Sequence, residues 1–157
     1  MWVNGIGTAA PPARYTKAQC WDAFCSSRWH GQLDERAVLL LRAVLQRENG
    51  MEARRLALDS LAEVFQIDAD TLQRRFAATA PVLATQAAQQ AMQAAALRSD
   101  DIDALIVSTC TGYLCPGLSG YVAERLQLRA GVQAYDLVGQ GCGAALPNMR
   151  LGKALLS

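Results

Sequence analysis

The sequence predicts an α/β fold with a mainly parallel sheet between helices, and three observations carry this. Residues 104–109, ALIVST, form a continuous apolar run of strand length. Residues 132–138 read as another strand, separated from the first by a helical pattern that begins near Pro116. A further helix opens at Gly143, so strand and helix alternate along this part of the chain.

The remaining elements follow in order. Residues 2–8 alternate apolar and small side chains before Pro11-Pro12 and read as a strand leading to a loop. Thr16 starts a helix that reaches about Ser27. Asp34 is an N-cap for a helix over 35–47, apolar on most sides (Val38, Leu39, Leu40, Leu41, Val44, Leu45), which is expected to be largely buried and to close at Asn49-Gly50. Asp70 begins a longer helical stretch that Pro81 is expected to divide or kink, because proline lacks the backbone donor and clashes with the preceding turn. Alanine dominates residues 84–97, which suits a helix packed closely against its neighbours. Residues 99–103 form a polar turn, and the strand after it is expected to be buried on both faces. The helix after Pro116 continues to about Leu128. The last helix runs on to Ser157 without a C-cap signal, so the chain reads as one domain, residues 1–157, that is interrupted.

Composition excludes several function classes. With 52% hydrophobic and 18% charged residues the chain is globular. Its net charge of +1, with basic residues scattered, gives no footprint for nucleic acid or an anionic membrane. The longest apolar run, residues 37–41, is far too short to span a bilayer, and the start lacks the pattern of a signal peptide, so a cytoplasmic location is expected. Five cysteines then suggest reduced thiols. Cys20 and Cys25 repeat the spacing of Cys110 and Cys115, but without a histidine cluster this makes a poor zinc signature and no metal site is expected. Asp100, Asp101 and Asp103 read as a solvated turn.

The stretch YDLVGQGCGAALPN, residues 135–148, poses the central question. Gly139, Gly141 and Ala144 satisfy the glycine pattern of a dinucleotide-binding turn, yet such a unit usually opens its domain and its ribose-binding acid would fall beyond Ser157. A nucleophile accounts for the cysteine as well: a thiol at a helix N-terminus meets the positive end of the macrodipole, and flanking glycines permit a sharp turn and close substrate approach. Spacing alone leaves Cys142 open between this role and that of a buried structural cysteine.

Resemblance decides between them. DLVGQGCGAALPNMRLGKALL, residues 136–156, resembles the nucleophile segment of type III polyketide synthases, the chalcone and stilbene synthase family of the thiolase-like superfamily. VNGIGTAAPPARYT, residues 3–16, resembles that family's first strand and loop, and DIDALIVSTCTGYLCPG, residues 101–117, its strand and active-site turn. The pattern is closer to bacterial alkylresorcinol and alkylpyrone synthases than to plant chalcone synthases. The resemblance implies the N-terminal half of a thiolase-like fold and an acyltransferase that condenses a starter acyl-CoA with malonyl-CoA, these being substrates with no bound cofactor. It makes Cys142 the acyl-carrying nucleophile, places Cys110 and Thr111 in the starter pocket, and puts Cys115, where the family usually has methionine, at the partner's cavity in a homodimer. It also implies a cis bond between Cys115 and Pro116. Arg42 matches one of the basic residues that hold coenzyme A phosphates; Leu45 and Asn49 stand where others would be, with Arg47, Arg54 and Arg55 nearby. The family's catalytic histidine and asparagine have no match, and His30, the only histidine, reads as a surface or capping residue. The chain is therefore expected to be inactive alone, and two alternatives stand beside the acyltransferase: a non-catalytic half needing a partner that brings the other half, and the dinucleotide-binding module.

Overall fold

A computed structural model describes residues 2–48 and 50–156. The chain divides into two compact units, Ala10–Leu72 and a second formed by residues 2–9 with 73–156.

The Ala10–Leu72 unit holds a short antiparallel pair, β1 (Arg14–Thr16) and β2 (Ala53–Arg55), with the helices α1 (Lys17–Cys25) and α2 (Glu35–Gln46). The sequence places both helix starts correctly. Thr16 Oγ1 accepts from the Gln19 backbone N–H at 3.2 Å while Gln19 Oε1 accepts from the Thr16 N–H at 2.8 Å, a reciprocal capping box. Asp34 Oδ1 accepts from the Ala37 N–H at 2.7 Å. The expectation of a largely buried α2 does not hold: none of its residues is buried, and Leu39, Leu40 and Val44 are each at least 60% exposed. An apolar helix stays exposed where the described chain supplies nothing to cover it. The helix ends at Gln46 with Arg47 as its C-cap; of the expected Asn49-Gly50 closure, Asn49 lies outside the described residues.

The other unit carries α3 (Ala69–Ala94, whose first turn belongs to the preceding unit), β3 (Ala104–Thr109), α4 (Leu118–Arg125), β4 (Gln133–Val138) and α5 (Ala145–Leu155). Strands β3 and β4 are parallel, Ala104 pairing with Gln133 and Thr109 with Val138. Helix α4 packs on both strands and α5 on β3. The period of two explains the division of faces. Leu105 and Val107 meet the buried Leu118 and Val122 of α4 and Leu126 just after it, whereas Ile106 and Ser108 turn toward α5: the Ser108 hydroxyl donates to Asn148 Oδ1, and Ile106 Cδ1 would lie 3.7 Å from a Cβ at Gly152. Phe76, Ala80, Ala84, Ala88 and Met92, every fourth residue of α3, close the same core.

Several boundaries and burials differ from the sequence reading. β3 is half-buried throughout and not enclosed on both faces, and α4 ends at Arg125 with Leu126 as C-cap, short of Leu128. Pro81 does not divide α3, which runs unbroken through it with Pro81 itself buried. Residues 2–8 are not a strand: no strand partner lies beside them among the described residues. They run along α3 instead, so closely that a Cβ at Gly7 would stand 2.0 Å from the Ala87 carbonyl oxygen and one at Gly5 2.3 Å from that of Ala91. The alanine-rich helix therefore does serve close packing. The polar turn is a 3-10 turn, Ser99–Asp101, followed by an ion pair from Arg129 to Asp103. The terminal helix is capped at Leu156, and Ser157 lies outside the described residues.

One core position gives a stability prediction. Thr85 is 7% exposed and its Oγ1 has no hydrogen-bond partner among the described residues. Replacing a buried unpaired hydroxyl by a methyl removes its desolvation cost, so Thr85→Val is expected to raise unfolding stability by about 1 kcal/mol in urea titration. A loss of stability instead would show that the hydroxyl is paired.

Candidate active site

Parallel pairing brings two segments to one edge. Because Thr109 pairs with Val138, and the Gly139 N–H donates to the Thr109 carbonyl at 3.1 Å, both strands end together. β3 continues into the loop that holds Cys110, Thr111 and Cys115, and β4 into the turn that holds Cys142. Crevices beyond the carboxyl ends of parallel strands are the usual ligand sites of such sheets.

Cys142 lies in a 3-10 turn, Gly141–Gly143, that runs directly into α5, and its side chain is exposed. The burial expected of a structural cysteine is not seen among the described residues. Gly139 and Gly141 have φ of 79° and 64°, a left-handed backbone that disfavours any residue with a Cβ. Gly143 adopts no such angle; open space surrounds all three glycines, so the turn's sharpness comes from two of them and its accessibility from all three.

The loop after β3 is held at several points. Thr109 Oγ1 donates to the Gly112 carbonyl at 2.8 Å, Gln73 Nε2 donates to the Tyr113 carbonyl at 2.9 Å, and a Cβ at Gly112 would strike the Phe76 ring at 2.6 Å. The Cys115-Pro116 bond is cis, as the resemblance implied. Cys110, Thr111 and Cys115 are exposed. At the loop's far end the Asp136 carboxylate, on β4, receives the Ser119 N–H at 3.0 Å and the Ser119 hydroxyl. Sequence reasoning passed over Asp136 and Ser119; the available signal was a carboxylate within an otherwise apolar strand, where aspartate is uncommon.

Arg42 belongs to the Ala10–Leu72 unit, where Nε donates to Gln46 Oε1 at 2.9 Å and the guanidinium lies 5.9 Å from the Trp21 ring centroid. Of the neighbouring arginines, Arg55 is committed to the Pro11 and Pro12 carbonyls at 3.2 and 3.1 Å, while Arg54 keeps Nη1 buried without a partner among the described residues. His30, also in that unit, is exposed and meets the Phe24 ring edge-on at 5.4 Å. Among the described residues no group of three or more His, Cys, Asp or Glu could hold a metal, and no helix is long and apolar enough to cross a membrane.

Comparison with known proteins places this arrangement. The model of the FAE1/type III polyketide synthase-like protein family matches residues 12–157. The 1,3,6,8-tetrahydroxynaphthalene synthase of Streptomyces peucetius subsp. caesius is 31% identical over 153 residues, which cover 91% of this chain and 37% of that protein. A fungal type III polyketide synthase, ORAS, superposes with a TM-score of 0.80 at 23% identity, covering 98% of this chain and 40% of its own. The type III polyketide synthase domain of Steely1 from Dictyostelium gives 0.81 at 21% identity, covering 98% and 43%. The chain thus spans about two fifths of the length of these relatives, and the thiolase-like α/β fold expected from the sequence is the fold observed. This chain belongs to the FAE1/type III polyketide synthase-like family.

Proposed function

We propose that the chain supplies the nucleophile-bearing part of a condensing acyltransferase. The observation that carries this is the exposed Cys142 in a glycine turn at the carboxyl edge of β4, beside the Cys110–Thr111 loop of β3, in a chain that the family matches over residues 12–157. The Cys142 sulfur attacks the thioester carbonyl of a starter acyl-CoA; the bond to the coenzyme A sulfur breaks, and coenzyme A leaves with a proton. Malonyl-CoA then loses carbon dioxide, and the resulting enolate carbon attacks the acyl group on Cys142. A carbon-carbon bond forms, the Cys142 sulfur is released, and the extended chain remains on coenzyme A. Cys110 and Thr111 line the space for the starter, Cys115 reaches the partner's cavity in a homodimer and shapes that shared pocket, and Arg42 contributes to coenzyme A binding. The groups that activate the thiol and stabilise the oxyanion come from outside these 157 residues.

Alkylation tests the reading. In a protein that also carries those activating groups, iodoacetamide is expected to label Cys142 faster than the other four cysteines of this segment, and prior incubation with a long-chain acyl-CoA to block that label and add one acyl mass. Equal labelling of all five, unaffected by acyl-CoA, would sink it. Binding of NAD(H) with indifference to Cys142 would favour a dinucleotide module in its place.

A second reading, that these 157 residues work only together with the rest of the fold, is favoured by the apolar surface. Trp2 is 91% exposed, Ile6 75%, Leu146 67% and Leu156 73%. Apolar area of this kind normally marks a contact surface. The 157-residue chain by itself is expected to self-associate, its sedimentation mass rising above 16.9 kDa with concentration. A monodisperse monomer at all concentrations would count against the need for the rest of the fold.

A further inference from the structure

We propose that Asp136 and Ser119 are a positioning pair that sets the Cys115-Pro116 loop relative to the Cys142 turn. The inference rests on the reading of these two segments as one site, and it adds the residues that hold them in register.

Helix α4 needs an outside acceptor. Its N-cap is Gly117, which has no side chain to receive the first-turn N–H groups. The Asp136 carboxylate takes that role from the neighbouring strand: one oxygen accepts from the Ser119 N–H at 3.0 Å, the other from the Ser119 hydroxyl, and Ser119 is 4% exposed. A negative group at a helix N-terminus is also favoured by the peptide dipoles. Glycine at 117 is required by this contact and not by its backbone: φ is −61°, open to any residue, but a Cβ there would lie 2.1 Å from Asp136 Oδ2.

The position of the carboxylate gives it reach in both directions. Asp136 pairs with Val107 across the β3–β4 ladder and precedes the Gly139 turn on the same strand, so it moves with the strand end that delivers Cys142. Its contacts, Gly117 and Ser119, follow directly after the cis Cys115-Pro116 bond. The front of the loop is fixed by Gly112 against Phe76 and by Gln73 on the Tyr113 carbonyl; Asp136 fixes its rear. A single carboxylate therefore ties together the two cysteine-bearing segments that leave the sheet edge.

Peptide-resolved iodoacetamide labelling of the full chain tests the pair, with Cys25 of the other unit as the internal reference. Asp136→Ala is expected to change the labelling rates of both Cys115 and Cys142 at least about threefold, as for residues coupled through one hydrogen-bond network, and to leave Cys25 unchanged. Asp136→Asn, which keeps an acceptor for the Ser119 N–H, restores rates close to those of the unsubstituted chain. Gly117→Ala reproduces the effect of Asp136→Ala, because its methyl group displaces the carboxylate, and adds nothing further in the double variant. Leu126→Ala, which weakens the same core without touching the carboxylate, separates positioning from stability. If Asp136→Ala leaves both thiols unchanged, or alters them no more than Leu126→Ala at an equal drop in melting temperature, the pair is merely structural and the proposal falls. Failure of the nucleophile reading shows separately, as a Cys142 that acyl-CoA does not protect even when the activating groups from outside these 157 residues are supplied.

Discussion

Cys142→Ala is expected to abolish acyl uptake: in a protein that also carries the activating groups from outside these 157 residues, incubation with acyl-CoA, followed by intact-mass measurement, should show the added acyl group on the unsubstituted protein and none on the variant. The reason is chemical and not conformational. Position 142 lies in a 3-10 turn with its side chain in solvent, so removing the sulfur deletes no core contact and leaves the turn set by Gly139 and Gly141 in place. What is lost is the only atom at that place able to form a thioester. Loss of a covalent nucleophile removes a whole reaction path, and a decrease of at least about 10³-fold in loading is expected. Cys110 and Cys115 are also exposed, which makes Cys115→Ala the informative control. It should retain loading and change only which acyl chains are accepted. If Cys142→Ala still carries the acyl group, or if Cys115→Ala loses it, the nucleophile has been assigned to the wrong thiol.

The largest effect on stability is expected at Leu118. This side chain is 4% exposed and packs with Val122 and Leu126 against Leu105 and Val107 of β3 and the face of α3 that carries Phe76, Ala80 and Ala84. Leu118→Ala removes three carbons from a core whose neighbours include several alanines, which are too short to fill the gap. A cost of about 3 kcal/mol is expected, a large part of the ~5–15 kcal/mol available to an ordinary domain. Urea unfolding measures it, and a change below about 1 kcal/mol would show that the site collapses around the smaller residue. Leu118 also follows Gly117 directly, so the variant is expected to loosen the start of α4 along with the core.

Much of the local structure was legible because its causes are local. Thr16 and Asp34 cap their helices within three residues, and the glycines at 139 and 141 satisfy backbone angles that other residues resist. The apolar runs of β3 and β4 were read to within a residue. Errors arose where the cause lies elsewhere in space. Residues 2–8 have strand-like alternation but no strand beside them, and their glycines let them lie on α3 instead. Helix α2 has a core-like composition, yet Leu39, Leu40 and Val44 face solvent. Pro81 should break an isolated helix; inside a packed one, tertiary contacts outweigh the lost hydrogen bond.

The sequence by itself determined the alternation of strand and helix, the helix caps, the glycine turn with its thiol, and the family, since each rests on residues close together in the chain or on motifs held in order. Tertiary structure decided what those pieces share. That Ala104 pairs with Gln133 in a parallel ladder is a non-local fact, and it alone sends the Cys110–Thr111 loop and the Cys142 turn from the same sheet edge. The meeting of Asp136 with Ser119 is of the same kind. Such contacts depend on which faces of separate elements pack together, and no periodicity along one segment contains that information.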